Sequence, residues 1–309
     1  MIEIMESILP MFIIVLMGGM IKRNWISSEE FWRGLEKISY FILFPATLFN
    51  FIHNANFQLN TIINLITVLI LSTILVGGMM ILYKSRNTHL TGKQFTSMFQ
   101  GSIRYNSYFF FSISSTVLTN EGMSIVSAVA AVMMIVTNLL VIGVFYTYVK
   151  DTTRNQHWTI YLSRTIITNP LIIASFLGIF CNIVDIHLTF SLQNTLNLVA
   201  GAAFPIGALI IGASLKLSFK NNNEVQNLVI VSLSKLLVLP VVTIFGMYMF
   251  NIHGIPKIVG IIYSALPTAS NSYVLSRQLG GDSSMMSNII SINTCLSLIP
   301  LLILLNIVL

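Results

Sequence analysis

The sequence predicts an all-α integral membrane protein of ten transmembrane helices, and three observations carry that prediction: composition, segment length and charge placement. The 309 residues are 55% hydrophobic and 8% charged, with a mean hydropathy of +0.84. Soluble domains carry about 25% charged residues, so this chain cannot cover a water-facing surface. A chain embedded in a lipid bilayer, with no separate soluble domain, is therefore expected.

Ten apolar segments can be drawn along the chain, each near the roughly 20 residues that cross the core of a bilayer. Their approximate ranges are 5–21, 34–52, 60–83, 94–118, 123–149, 160–182, 191–215, 226–250, 256–278 and 284–309. Glu3 and Glu6 precede the first segment without any Lys or Arg. A cleavable signal peptide has a positive region there, so the first segment is expected to be a retained span.

Lysine and arginine concentrate on one side of these segments, which indicates the cytoplasmic side. Thirteen of the sixteen lie in or beside alternate connections: Lys22, Arg23, Arg33, Lys37, Lys84, Arg86, Lys93, Lys150, Arg154, Arg164, Lys216, Lys220 and Arg277. Both termini are therefore expected outside the cell membrane. The net charge of +6 is then a signal of topology, and nucleic-acid binding is not expected.

The two halves of the chain, 1–154 and 155–309, repeat each other and are predicted to form two five-helix units. The matches are LPMFIIVLMGG with NPLIIASFLGI and FPATLF with FPIGAL, each 160 positions apart, GMMILY with GMYMFN, and Asn-Ser-Tyr at 106–108 with 271–273, 165 positions apart. Five spans are an odd number, so the second unit must enter the membrane from the opposite side. Inverted repeats of this kind are typical of secondary transporters with a site near the midplane.

Polar residues inside the fourth and ninth segments mark a candidate substrate site. A proline within a span removes a backbone donor and bends or breaks the helix, and the freed groups need polar partners. A helix that restarts there also presents N–H groups to an anion. The candidate substrate-binding residues are Arg104, Asn106, Ser107, Tyr108, Thr268, Asn271, Ser272 and Tyr273.

Three prolines, Pro45, Pro205 and Pro267, are predicted to break or support helices around this site, whereas Pro240 is expected to kink its span for packing.

Arg104 and Lys235 lie well inside apolar segments. A cation at that depth faces a cavity or a partner, or extends its side chain to the interface. The sequence favours the first for Arg104 and leaves both alternatives open for Lys235, which is a candidate for a charge role.

The other titratable residues narrow the function. All ten acidic residues lie at termini, in loops or at the ends of segments, so no carboxylate relay or carboxylate-built sodium site is evident within a span. Cysteines and histidines have no metal-ligand spacing, and no cofactor, metal or catalytic residue is expected. Asn138 and Asn293, mid-span in the fifth segment of each half, are expected to make interhelical hydrogen bonds. Buried cations with amide and hydroxyl donors suit a small organic anion.

These motifs resemble the auxin efflux carrier (AEC) family of bacterial permeases, which includes malate and malonate permeases. The family is related to plant auxin efflux carriers and, more distantly, to bile acid sodium symporters. The resemblance covers essentially the whole chain and is carried by KISYFILFPATLF, the Arg-x-Asn of SIRYNSY, FPIGALIIGASLKL and ALPTASNSYVLSRQLGGD. It implies two inverted five-helix repeats whose broken helices 4 and 9 cross beside the substrate, with Asn106 and Asn271 at the crossing. It also implies elevator-like alternating access.

The chain departs from the family in helix 4. Family members usually carry a glycine and then a proline shortly after the asparagine, where this chain has Phe111 and Ile113. A milder break is therefore expected in helix 4.

The leading hypothesis is a secondary carrier that moves a mono- or dicarboxylate across the cell membrane. The alternative is sodium-coupled symport of a bulkier anion, as in the bile acid relatives. A non-transporting receptor and an intramembrane enzyme built on Gly-Gly-Asp at 280–282 are less favoured. The sequence leaves open the substrate, the coupling ion (H⁺ or Na⁺), the direction of transport and whether the chain forms a homodimer.

Overall fold

A computed structural model describes residues 2–54, 59–149, 168, 170–215 and 222–308. These ranges contain helices and no strand. The helices are α1 (Ile2–Asn24), α2 (Glu29–Ile38), α3 (Phe44–His53), α4 (Leu59–Arg86), α5 (Gly92–Ile103), α6 (Ser107–Val117), α7 (Asn120–Tyr148), α8 (Pro170–Ile183), α9 (Phe190–Ser214), α10 (Asn222–Leu233), α11 (Leu239–Met249), α12 (Gly254–Ala265), α13 (Ser272–Leu279), α14 (Ser283–Leu296) and α15 (Leu298–Val308). The start of the predicted sixth span, the boundary at 154/155 and five of the basic residues used for topology (Lys150, Arg154, Arg164, Lys216 and Lys220) lie outside the described residues.

Six helical stretches in the described ranges are long and apolar enough to cross a membrane. They are Glu29–His53, Ile62–Arg86, Asn120–Tyr148, Phe190–Ser214, Glu224–Met249 and Ser283–Val308. The predicted fourth and ninth segments contain no helix of that length because each is divided into two shorter helices. The all-α membrane class is confirmed, and the count of ten spans stays a prediction.

The chain divides into two compact units. The first unit comprises Met1–Ile62, Tyr108–Val132 and Arg164–Ser214, and the second comprises Ile63–Ser107, Met133–Ser163 and Leu215–Leu309. Each unit therefore draws on both halves of the sequence.

Close glycine contacts join two pairs of helices in the first unit. A Cβ on Gly18 of α1 would meet the backbone oxygen of Leu209 in α9, and one on Gly178 of α8 would lie 3.2 Å from the backbone oxygen of Phe49 in α3. Gly178 lies 160 positions after Gly18, and Leu209 lies 160 positions after Phe49. The two contacts are thus equivalent under the offset of the sequence repeat.

Helix α5 lies at the centre of the second unit. It begins with a capping box, in which the Thr91 side chain accepts a hydrogen bond from the Gln94 N–H and the Gln94 side chain accepts one from the Thr91 N–H. Two of the free N–H groups at its start are therefore satisfied. It packs against α10, α13 and α14. A Cβ on Gly101 would lie 2.7 Å from Ile289 and 3.0 Å from Val231, so these helices approach at a distance that only glycine allows.

The predicted proline positions behave differently from one another. Pro45 and Pro240 each follow a five-residue π-helical turn, Ser39–Leu43 and Ser234–Val238, and these wider turns accommodate the missing N–H without an interruption. Pro205 lies inside the uninterrupted helix α9. A break at Pro205 is therefore absent, and Pro267 is the one of the three predicted prolines that lies in an interruption.

Candidate functional site

Two non-helical stretches divide the predicted fourth and ninth spans, and we call them the first interruption (104–106) and the second interruption (266–271). The second interruption separates α12 from α13. Pro267 has no N–H to continue the helix, and a residue before proline is pushed away from helical dihedrals. Leu266 accordingly adopts an extended conformation, with φ −63° and ψ 146°. Asn271 stands at the start of α13, with φ −69° and ψ −6° and no capping hydrogen bond from its side chain. This interruption follows from the local sequence.

The first interruption, 104–106, separates α5 from α6 without a proline. Arg104 is extended, with φ −77° and ψ 140°, and its N–H still bonds the carbonyl of Gln100. The predicted fourth span is therefore broken over three residues, whereas the predicted ninth span is interrupted over six.

Hydrogen bonds join the two interruptions directly. The Asn106 N–H donates to the Pro267 carbonyl at 2.9 Å, and its side-chain Nδ2 donates to Ser270 Oγ at 3.0 Å. Thr268 Oγ1 donates to the Gly101 carbonyl at 2.6 Å. Each broken helix thus provides partners for the backbone groups that the other leaves free, as irregular backbone at membrane depth requires.

A buried polar chain anchors this junction to the surrounding helices. Asn293 Nδ2 in α14 donates to Thr268 Oγ1 at 2.8 Å, and Ser232 Oγ in α10 donates to Asn293 Oδ1 at 2.7 Å. Both interhelical bonds of Asn293 are made by a fully buried side chain. The interhelical role expected for Asn293 is confirmed, and it holds Thr268 in place.

A second polar seam runs between α5 and α13. Ser97 Oγ lies 3.3 Å from Ser276 Oγ, and Gln100 Nε2 donates to the same Ser276 hydroxyl. Within the described part of the chain, the buried Gln100 Oε1 and Ser272 Oγ make no hydrogen bond. Two buried oxygens of the seam therefore retain unused hydrogen-bonding capacity among the described residues.

The two intramembrane cations are both withdrawn into the protein. Arg104 is 7% exposed and Lys235 is 0% exposed. Lys235 does not extend to the interface, so the snorkelling alternative is wrong for this residue. The Tyr263 ring lies beneath it, with 5.9 Å between Nζ and the ring centroid.

Donors on the exposed side of the second interruption remain accessible. Asn271 and Tyr273 are exposed, whereas Ser272 is buried. The N–H groups of Ser272 and Tyr273 bond the carbonyls of Ala269 and Ser270. These two N–H groups are thus already used, and the accessible donors are the side chains of Asn271 and Tyr273.

Tyr108 is the one predicted site residue that lies in the first unit. Its ring meets Phe44 edge to face at a centroid distance of 4.7 Å, and a Cβ on Gly207 would lie 2.9 Å from it. Phe44 and Gly207 belong to the repeated FPATLF and FPIGAL motifs. Tyr108 therefore packs against both motifs in that unit, and half-buried Ser107 begins α6.

Sequence reasoning missed the seam of Ser97, Gln100 and Ser276 and the contribution of Ser232. The signal was available as polar residues three or four positions apart, on one helical face.

Asp282 of Gly-Gly-Asp accepts a hydrogen bond from the Met285 N–H at 3.0 Å. This carboxylate caps α14. Among the described residues, no group of three His, Cys, Asp or Glu side chains could hold a metal ion.

Comparison with known proteins adds one finding. A family model described as membrane transport protein matches residues 3–305. No individual curated protein matches the chain significantly.

Proposed function

Because the chain belongs to the auxin efflux carrier family of membrane transport proteins, we propose that it is a secondary carrier of a small organic anion, a mono- or dicarboxylate. Membrane transport follows from the family, and enzymatic activity does not. The observation that carries the anion proposal is the hydrogen-bonded pair of interruptions with Arg104 buried beside it. Discontinuous helices that meet in this way form the binding sites of many secondary transporters.

Charge and helix direction both favour an anion at this place. Helix α13 begins at the second interruption, so the positive end of its dipole lies there. Arg104 adds a permanent charge whose planar fork matches a carboxylate. Asn271 and Tyr273, where α13 begins, supply exposed donors at the second interruption. A carboxylate is the ligand chemistry that this combination would hold best.

The equivalent glycine contacts in the first unit support the proposed architecture of inverted repeats. A pair of contacts at one offset, Gly18 with Leu209 and Gly178 with Phe49, is what a two-fold axis relating residues 160 apart would produce. Five spans in each repeat would place both termini outside. The carrier would then work by alternating access, with the bundle that holds the two interruptions carrying the anion.

Flux into proteoliposomes tests the site. Labelled malate, malonate and indole-3-acetate are offered to the wild type, Arg104→Ala and Asn271→Ala. We expect Arg104→Ala to lower flux at least about tenfold, which corresponds to about 1.4 kcal/mol. Arg277→Ala is the matched control, because Arg277 is exposed near the end of α13. The proposed site is wrong if both site variants transport like the parent.

Sodium-coupled symport is a second candidate, and the seam between α5 and α13 favours it. Gln100 Oε1 and Ser272 Oγ are buried oxygens without a hydrogen-bond partner in the described ranges, and such neutral oxygens can hold a monovalent cation. Replacing external sodium with choline would lower flux if this coupling operates. Unchanged flux in choline would dismiss it.

A further inference from the structure

Lys235 is held inside the second unit by an unusual piece of backbone. It is the second residue of the π-helical turn Ser234–Val238, in which the Leu239 N–H bonds the Ser234 carbonyl. Pro240 follows this turn. Wide turns of this kind in α-helices are frequent at functional sites. The turn fixes the lysine on an inward-facing position, since its side chain is fully buried.

No counter-charge lies against the buried amine among the described residues. In the described part of the chain, Nζ makes neither a hydrogen bond nor an ion pair, and the contact with the Tyr263 ring is long at 5.9 Å. A cation–π contact offsets about 0.5–2 kcal/mol, whereas burying an unpaired ammonium costs several kcal/mol. An anion would have to accompany a proton on Lys235.

The surroundings of Lys235 lead to the first interruption. The turn contacts its flanking helices α10 and α11 and the helices α5, α12 and α14, and Ser234 in the turn donates a hydrogen bond to Met80 of α4. The titratable side chains on the described residues of these helices are Tyr83, Lys84, Arg86, Lys93, Glu224, Tyr248, Lys257, Tyr263 and Cys295. Tyr263 is the one recorded against the amine. Its ring lies 4.7 Å from that of Tyr105, the residue between Arg104 and Asn106. Aromatic contact therefore joins Lys235 to the first interruption, where Arg104 directly precedes Tyr105.

We propose that Lys235 is the proton-coupling residue, which takes up one proton from water when the carrier binds its organic anion and releases it when the anion leaves. This inference rests on the proposed function. By linkage, an anion that favours the charged lysine is itself bound more tightly when the lysine is protonated. The proton and the anion then cross the membrane together. Proton binding at Nζ thus couples the proton gradient across the membrane to uphill transport of the anion.

The test compares exchange with accumulation in proteoliposomes, using labelled malate, malonate and indole-3-acetate. Counterflow exchange at equal pH needs no net driving force, whereas accumulation under a pH gradient requires coupling. With the membrane potential held at zero, one coupled proton gives about tenfold more accumulation per pH unit. We expect Lys235→Arg, whose side chain stays charged, to keep counterflow within about threefold of the wild type and to lose the response to the pH gradient. Lys257→Met is the control and should keep both.

Lys235→Met separates charge from proton release, because its neutral side chain resembles the deprotonated lysine and should lower counterflow as well as the response to pH. In detergent, malate should draw about one proton per carrier from a weakly buffered dye solution with wild type and none with Lys235→Arg. Wild-type flux that ignores pH, or a normal response in Lys235→Met, would overturn the inference and leave the proposed function intact. Absence of flux for all three acids would instead refute the proposed function and this inference together.

Discussion

The two interrupted helices reach similar geometry by different means. The predicted ninth span opens at Pro267. Because proline lacks an N–H and sterically disfavours helical dihedrals at the preceding Leu266, this interruption is a local property of the sequence. The predicted fourth span opens at Arg104–Asn106 without a proline. Its Asn106 N–H and Gly101 carbonyl are satisfied by the Pro267 carbonyl and the Thr268 hydroxyl. One break is thus encoded in its own segment, and the other depends on tertiary contacts.

The largest effect should come from removing the bridge between the two segments. Thr268→Val deletes the bond to the Gly101 carbonyl and the acceptor for Asn293. Each buried polar group left unpaired costs about 1–3 kcal/mol, so we expect the free energy of unfolding in detergent to fall by at least about 2 kcal/mol. Thr243→Val is the matched control, since the buried Thr243 hydroxyl has no hydrogen-bond partner in the described ranges. Equal losses in both variants would contradict the bridging role.

A smaller loss is expected from Asn106→Ala. The variant removes the bond from Nδ2 to Ser270 Oγ but keeps the backbone bond from residue 106 to Pro267. The free energy of unfolding should fall by about 1–2 kcal/mol, less than with Thr268→Val. Equilibrium unfolding of both variants in one detergent gives the order. A larger loss from Asn106→Ala would show that the side chain, and not Thr268, holds helix 4 open.

Pro267→Ala should cost less again. The carbonyl at 267 and the Thr268 hydroxyl remain available to helix 4, and the main change is greater freedom of the unfolded chain, about 0.4–1 kcal/mol. Unfolding measurements with Thr268→Val in parallel check the order. If Pro267→Ala proves the more damaging variant, the proline matters for more than the local break.

The contrast also explains what the sequence could predict. The second interruption was predicted from Pro267 and its polar neighbours. The membrane class was predicted from composition. The pairing of the two breaks was visible in the repeated Asn-Ser-Tyr. The extent of the first interruption could not be predicted from the sequence, because its hydrogen-bond partners lie more than 160 positions away. A proline pattern reports on local backbone and is silent about tertiary acceptors.

Other features required side-chain packing. The fate of Lys235 depended on whether its stem pointed outward or inward, which a π-helical turn decided. Pro205 looked equivalent to Pro45 in the repeat, yet α9 runs through it without interruption. The Ser97, Gln100 and Ser276 seam forms between separate helices. Periodicity alone did not show which polar residues would face one another.

The smallest effect on stability should accompany a clear effect on transport. Asn271 is the repeat counterpart of Asn106, but its side chain is exposed and makes no capping bond. Asn271→Ala should therefore change the free energy of unfolding by less than about 0.5 kcal/mol. If its amide binds the carboxylate, malate flux should fall about tenfold, since 1.4 kcal/mol of lost binding corresponds to that factor. Unfolding and flux measured on one preparation separate these effects. A stable variant with unchanged flux would remove Asn271 from the site, and an unstable one would make it a structural partner of Asn106.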